Sequence, residues 1–191
     1  VNSEYPMVEL GEICEIITGF AFKSDLLLSE KADGTLPVIK IGNLENNSYL
    51  NLDRVQYFPY DETLEKYFIN KNDILLAMTG ATVGKVSVSK FNGMLLNQRV
   101  ANIKGNNDNV NPKYLMYILF DEMFYEYCQT NAGGGAQGNI SPTTIKAYKI
   151  PLPPLHIQEE IVKEIEGYQK IVDGARQVVE NYKPTIKIDP S

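Results

Sequence analysis

The sequence predicts a mixed α+β fold. A domain of short twisted strands and helices spans residues 1–154, one long coiled-coil-type helix spans 155–182, and a tail follows at 183–191. Three observations predict this. Short apolar or alternating runs are separated by Gly, Asn and Lys, as strands are by turns. Two cap-then-proline pairs, Asn111-Pro112 and Ser141-Pro142, open helices. From Leu155 onward a heptad of apolar residues runs without a break. The regular βαβ spacing of a doubly wound sheet is missing.

The elements follow in order. Leu36–Gly42 alternates as a strand does, and Asp73–Met78, Gly84–Ser89 and Arg99–Lys104 are further strand candidates. Asp61–Tyr67 suits a short helix. Asn111 caps a helix that runs to about Tyr127, with Leu115, Ile118, Leu119 and Phe124 on one face. Ser141 caps a short helix ahead of Lys149–Leu152. Pro153-Pro154 stops what precedes, and Leu155–Tyr182 forms a helix about 42 Å long at 1.5 Å per residue. Its apolar residues are Ile161, Ile165, Tyr168, Val172, Ala175, Val179 and Tyr182, at alternating spacings of four and three. Val162, Ile171 and Val178 widen the stripe. A seam this regular calls for a partner helix in another chain or another repeat; packing back on its own domain is the alternative.

Composition excludes several classes. The chain has 191 residues, 43% hydrophobic and 22% charged, which is ordinary for a globular protein and suffices for a core without disulfides. Cys14 and Cys128 lie far apart with no CxxC partner, so buried free thiols are expected. His156 is the single histidine, which argues against a histidine-based triad or a multi-histidine zinc site. No apolar run approaches the roughly 20 residues of a membrane span; Ile74–Met78 is the longest and reads as a buried strand. The N-terminus has neither the basic nor the apolar region of a signal peptide, so a cytoplasmic location is expected. It also lacks an initiating Met, so a piece of a longer polypeptide is expected. Asn46-Asn-Ser48 and Asn139-Ile-Ser141 match a glycosylation pattern that carries no meaning there.

The net charge of −6 argues, as a total, against a polyanionic partner. Its distribution says otherwise. Residues 1–65 hold 4 basic and 12 acidic side chains, residues 66–149 hold 9 and 5, and residues 150–191 hold 5 and 7. Between Ile74 and Asn107 there is no acid, but there are Lys85, Lys90, Arg99 and Lys104. Such a stretch is either a chance fluctuation on a solvated face or a local anion-binding surface.

The motifs point away from catalysis. Gly133–Gly138 matches GxGxxG, but a helix precedes it where the dinucleotide fingerprint needs a strand, so it reads as a flexible glycine loop. Thr79–Lys85 has three residues between its glycines and Val86 after its lysine, one short of and unlike a phosphate-binding P-loop. It remains a turn rich in hydrogen-bonding groups with one cation, suited to a phosphate contact. Asn97-Gln98-Arg99 is a compact run of base-reading side chain types. Asp61-Glu62 and Glu159-Glu160 are sequence neighbours that do not face each other, and no Asn-Pro-Pro-Tyr motif of an adenine methyltransferase occurs.

Taken in order, the motifs resemble a known family, the target recognition domain of the specificity (S) subunit of type I restriction–modification systems. The resemblance runs along almost the whole chain. It is carried by Val8–Ile13 with Gly19–Ser24, Pro37–Asn43, Lys71–Leu75, Gly80–Lys85, Asn97–Val100, Pro112–Leu115, Gly135–Ser141, and Ile150–Leu155 with Gln158, Ile161 and Val162. Two departures stand out. There is one recognition domain and one long helix where a full subunit has two of each, and Met7 stands where an aromatic residue opens the family pattern.

The resemblance implies a non-catalytic module that reads one half of a bipartite site on double-stranded DNA. It would direct adenine-N6 methylation and restriction by methyltransferase (M) and restriction (R) subunits. S-adenosylmethionine and ATP would belong to those partners, and no cofactor or metal to this chain. Lys23, Lys40, Lys85 and Arg99 are expected to position on phosphates, and Thr82, Asn97 and Gln98 to reach base edges. Gln137, Asn139 and Ser141 add contacts. The long helix would be spacer and homodimer seam. Two rivals are the C-terminal recognition domain of a fused adenine-specific methyltransferase, and a protein-interaction module that never touches DNA.

Overall fold

The computed structural model describes residues 4–106, 108–133 and 138–182. From the N-terminus, β1 (Met7–Glu9), α1 (Leu10–Ile13) and β2 (Cys14–Thr18) lead into β3 (Thr35–Ile39), β4 (Ser48–Tyr49), β5 (Gln56–Pro59) and β6 (Phe68–Ile69). Then come β7 (Ile74–Ala77), β8 (Val86–Val88), β9 (Met94–Leu96) and β10 (Val100–Gly105). Three helices follow, α2 (Pro112–Leu119), α3 (Glu122–Asn131) and α4 (Pro142–Lys146), before β11 (Lys149–Pro151) and the long α5 (Leu155–Asn181).

The strands build a five-stranded sheet in the order β2-β10-β7-β8-β4, a four-stranded sheet in the order β5-β3-β9-β6, and an antiparallel pair of β1 with β11. Side chains alternate across a strand, and β7 shows the consequence. Ile74 and Leu76 pack on one side with Leu115, Leu119 and Phe124 of the helices. Leu75 and Ala77 pack on the other with Ile39, Ile69, Met94 and Leu96 of the second sheet. The larger sheet is therefore covered on both faces, which is why β7 is apolar at every position. Burial pushes the thiols of Cys14 and Cys128 up to about 12, leaving both protonated and inert.

The strand expected over Leu36–Gly42 ends at Ile39, because Asn43 folds the chain into a 3-10 turn at Ile41–Asn43 and its Oδ1 accepts from the Lys40 amide at 2.9 Å. The helix over Glu62–Tyr67 is also 3-10; Asp61 caps it by accepting from the Thr63 amide, and hydrogen bonding to the Thr63 side chain and then to that amide holds the carboxyl below its ordinary pKa. The helix expected from Asn111 to Tyr127 is two. The Asp121 carboxylate takes the Met123 amide at 2.8 Å and starts α3 anew, because a short acidic side chain competes with the helix for backbone donors. Asn111 and Ser141 cap α2 and α4 with their side-chain oxygens.

The 27 residues of α5 span about 40 Å. Its first turns pack on the domain. Gln158 is 0% exposed; its Oε1 accepts from the Asn111 amide, and its Nε2 donates to the carbonyls of Asn109 and Pro153. Val162 is buried, Ile161 packs beside it, and Glu166 pairs with Lys113. The seam expected to meet another helix therefore begins against this chain's own core. Beyond it, Tyr168, Val172, Ala175, Val179 and Tyr182 are exposed.

Candidate nucleic-acid interface

Strand polarity gathers the expected site residues at one end of the two sheets. β10 pairs antiparallel with both β2 and β7, β7 antiparallel with β8, and β3 parallel with β9. The segments after β2, β3, β7 and β9 and those before β8 and β10 therefore emerge together. They carry Lys23, Lys40, Thr82, Lys85, Asn97, Gln98 and Arg99.

Backbone hydrogen bonds lace these loops. The Phe20 amide donates to the Leu96 carbonyl at 2.8 Å, and the Gln98 amide donates to the Phe20 carbonyl at 2.9 Å. The Asn97 amide donates to the Ile39 carbonyl at 3.1 Å, and the Met78 amide to the Arg99 carbonyl at 2.9 Å. From the far side, the Ile140 amide reaches the Met78 carbonyl and the Gly80 amide reaches the Gly138 carbonyl. Gly19 makes the closest approach possible: a Cβ there would lie 2.1 Å from the Leu96 carbonyl oxygen and 2.4 Å from the backbone of Asn97. Gly84, at φ +86°, turns the chain into β8 beside Cys128 and Tyr125.

The expected residues divide by what their side chains do. Lys23, Gln98, Arg99 and Asn139 are exposed. Lys85 is half-buried, and among the described residues neither it, Lys23 nor Arg99 forms an ion pair. Asn97 is only 9% exposed, and its Oδ1 accepts from the Arg99 amide, so that oxygen shapes the turn. The Thr82 hydroxyl donates to the Thr79 carbonyl, and the Ser141 hydroxyl accepts from the Thr144 amide as the α4 cap. Lys40 donates to Gln56, and burial lowers its pKa. Gln137 lies outside the described residues.

The acid-free stretch does not form one surface. Lys85 and Arg99 stand at the loop end. Lys104 pairs with Asp73 at 3.6 Å, and Lys90 sits 3.9 Å over the Tyr49 ring, both at the opposite end. Sequence reading missed the aromatic part of the loop end. Phe20 is 37% exposed beside Gln98, its ring centroid is 5.5 Å from that of Tyr67, and Lys66 lies over Tyr67. The signal was present in Gly19-Phe20, where a glycine admits a close backbone approach directly before an aromatic residue. Among the described residues no cluster of His, Cys, Asp and Glu could hold a metal ion, and no helix is long and apolar enough to cross a membrane.

Residues 2–181 match the family of type I restriction modification DNA specificity domains. The MjaVIII specificity subunit of a type I restriction enzyme from Methanocaldococcus jannaschii is 21% identical over 180 residues, covering 94% of this chain and 39% of the relative. A chain from a structure concerned with complex assembly and conformational transition of the type I R-M system superposes with TM-score 0.70 at 21% identity, covering 93% of this chain and 41% of that one. The HsdS subunit from Thermoanaerobacter tengcongensis gives TM-score 0.65 at 19% identity, covering 93% and 40%. These structures share the fold, a mixed α+β domain with a long C-terminal helix. The chain spans about two fifths of the length of these relatives. With nearly its whole length matched, the chain belongs to the type I restriction–modification DNA specificity domain family.

Proposed function

We propose that the loop end reads one half of a bipartite site on double-stranded DNA. The chain itself is non-catalytic in this reading, and it directs adenine-N6 methylation and restriction by methyltransferase and restriction subunits that bring their own S-adenosylmethionine and ATP. The observation that carries it is the convergence of Lys85, Gln98, Arg99 and Asn139 on loops laced to one another by backbone hydrogen bonds, with no acidic partner for their cations among the described residues. Lys23, Lys85 and Arg99 would hold phosphates, and Gln98 and Asn139 would meet base edges. Asn97, Thr82 and Ser141 support the reading less directly, by fixing the turns that present the others. The relatives are named as specificity subunits, which favours this reading over a fused methyltransferase. A cytoplasmic setting, where the genome is, goes with it.

The exposed stripe on α5 extends the proposal to a homodimer. Tyr168, Val172 and Val179 present apolar surface at 51–74% exposure that a second copy's helix would cover. One experiment tests both parts. The chain is co-expressed with its methyltransferase subunit, and N6-methyladenine is mapped across the host genome. Methylation at a bipartite motif supports DNA reading, and two-fold symmetry of that motif supports the dimer. Absence of any motif-specific methylation contradicts the first, and an asymmetric motif contradicts the second.

A further inference from the structure

Phe20 is exposed where burial would be expected, and nothing in the core needs its ring. Phe22, two residues on, fills the cluster with Val38, Leu64 and Leu95; Phe20 belongs to none of the buried clusters. Its backbone is nonetheless fixed from both sides. Its amide donates to Leu96, its carbonyl accepts from both Gln98 and Phe22, and it bridges Asn97 in parallel register. Gly19 permits that approach and no side chain could replace its hydrogen. The ring is braced edge-on by Phe22 at 5.0 Å and tilted against Tyr67 at 5.5 Å. An apolar ring is thus held in place with part of it in water, beside Gln98.

We propose that Phe20 is a specificity-determining residue that packs against the 5-methyl group of a thymine in the major groove. The inference rests on the DNA-reading function proposed above. Its geometry decides between two apolar roles. A side chain that wedges between base pairs must protrude fully. Phe20 is 37% exposed and flanked by two rings, so it offers a limited apolar patch rather than a protruding blade. A patch of this kind suits a methyl group, the apolar feature that distinguishes thymine in the major groove. Gln98, hydrogen-bonded to Phe20 through the backbone, would meet the polar atoms of the same or the next base pair.

The test uses the full chain with its methyltransferase subunit and a duplex carrying the mapped motif. Thymines in the half-site are replaced one at a time by uracil, which lacks only the methyl group. Wild type should lose about four-fold in affinity at one position, the size expected for one methyl-sized apolar contact. Phe20→Ala should lose its sensitivity to uracil at that position while keeping its salt dependence, and Phe20→Leu should retain the sensitivity in part. Wild type with no uracil-sensitive position, or Phe20→Ala with the wild-type pattern, overturns the proposal. If Phe20→Ala does not fold, the wild-type scan and Phe20→Leu decide. Wild type that fails to prefer the motif over random DNA brings down the DNA-reading function itself, an outcome distinct from the loss of Phe20's role.

Discussion

The two ends of the five-stranded sheet use the same kinds of side chain in opposite ways. At the end from which α5 departs, polar groups are consumed internally. Lys104 and Asn102 both engage Asp73, Lys90 covers Tyr49, and Gln158 satisfies the backbone at Asn109 and Asn111. At the loop end the structure spends backbone hydrogen bonds on holding turns together and leaves Lys23, Gln98 and Arg99 in solvent. Strand length separates the two ends by about 15 Å. The contrast is not complete, since Lys40 and Lys66 at the loop end also engage Gln56 and Tyr67, but the cations left in solvent, Lys23 and Arg99, lie in loop-end segments.

Four substitutions probe this contrast. Gly19→Ala forces a methyl group into the Leu96 and Asn97 backbone, so it should cost about 3 kcal/mol in denaturant unfolding. Gly93 turns the chain at the other end with φ +78° and open space around it, so Gly93→Ala should cost only about 1 kcal/mol of left-handed backbone strain. Equal costs would mean that the loop end is not held by that approach. Gln158→Ala strands two backbone carbonyls and an amide at the foot of α5 and should cost about 2 kcal/mol, with DNA affinity per folded molecule unchanged. A loss of affinity would couple the two ends. Lys104→Ala removes a partly exposed pair worth about 0.5 kcal/mol and should leave thermal unfolding almost where it was.

Much of the fold was legible in the chain because its signals are local. The buried run at Ile74–Met78, the caps at Asn111 and Ser141 and the start of α5 after Pro154 all lie within a few residues of the structure they determine. The break at Asp121 was not legible, since the helical spacing of Leu119 and Phe124 continues across it and a single cap decides. β1 was missed because its partner, β11, lies far away in sequence, with Met7 opposite Pro151. The heptad from Ile161 to Tyr182 was visible, but a repeat does not say which partner covers each turn; buried Gln158 marks where the domain's own contact begins. For the site, the residue types were readable and their juxtaposition was not. Antiparallel pairing brings Arg99 to Met78 and sends Lys104 to Asp73, splitting one acid-free segment between two surfaces.

The most direct test of the loop end as the DNA-reading surface compares two double variants in one assay. Binding of a duplex carrying the mapped motif is measured as a function of salt for Lys85→Ala with Arg99→Ala, and for Lys90→Ala with Lys104→Ala. Each phosphate contact contributes about 0.9 to the slope of log affinity against log salt concentration, so the loop-end pair should flatten the slope by about 2. The opposite pair should leave it unchanged. An unaltered slope for the loop-end pair, or an equal change for both, would contradict the assignment.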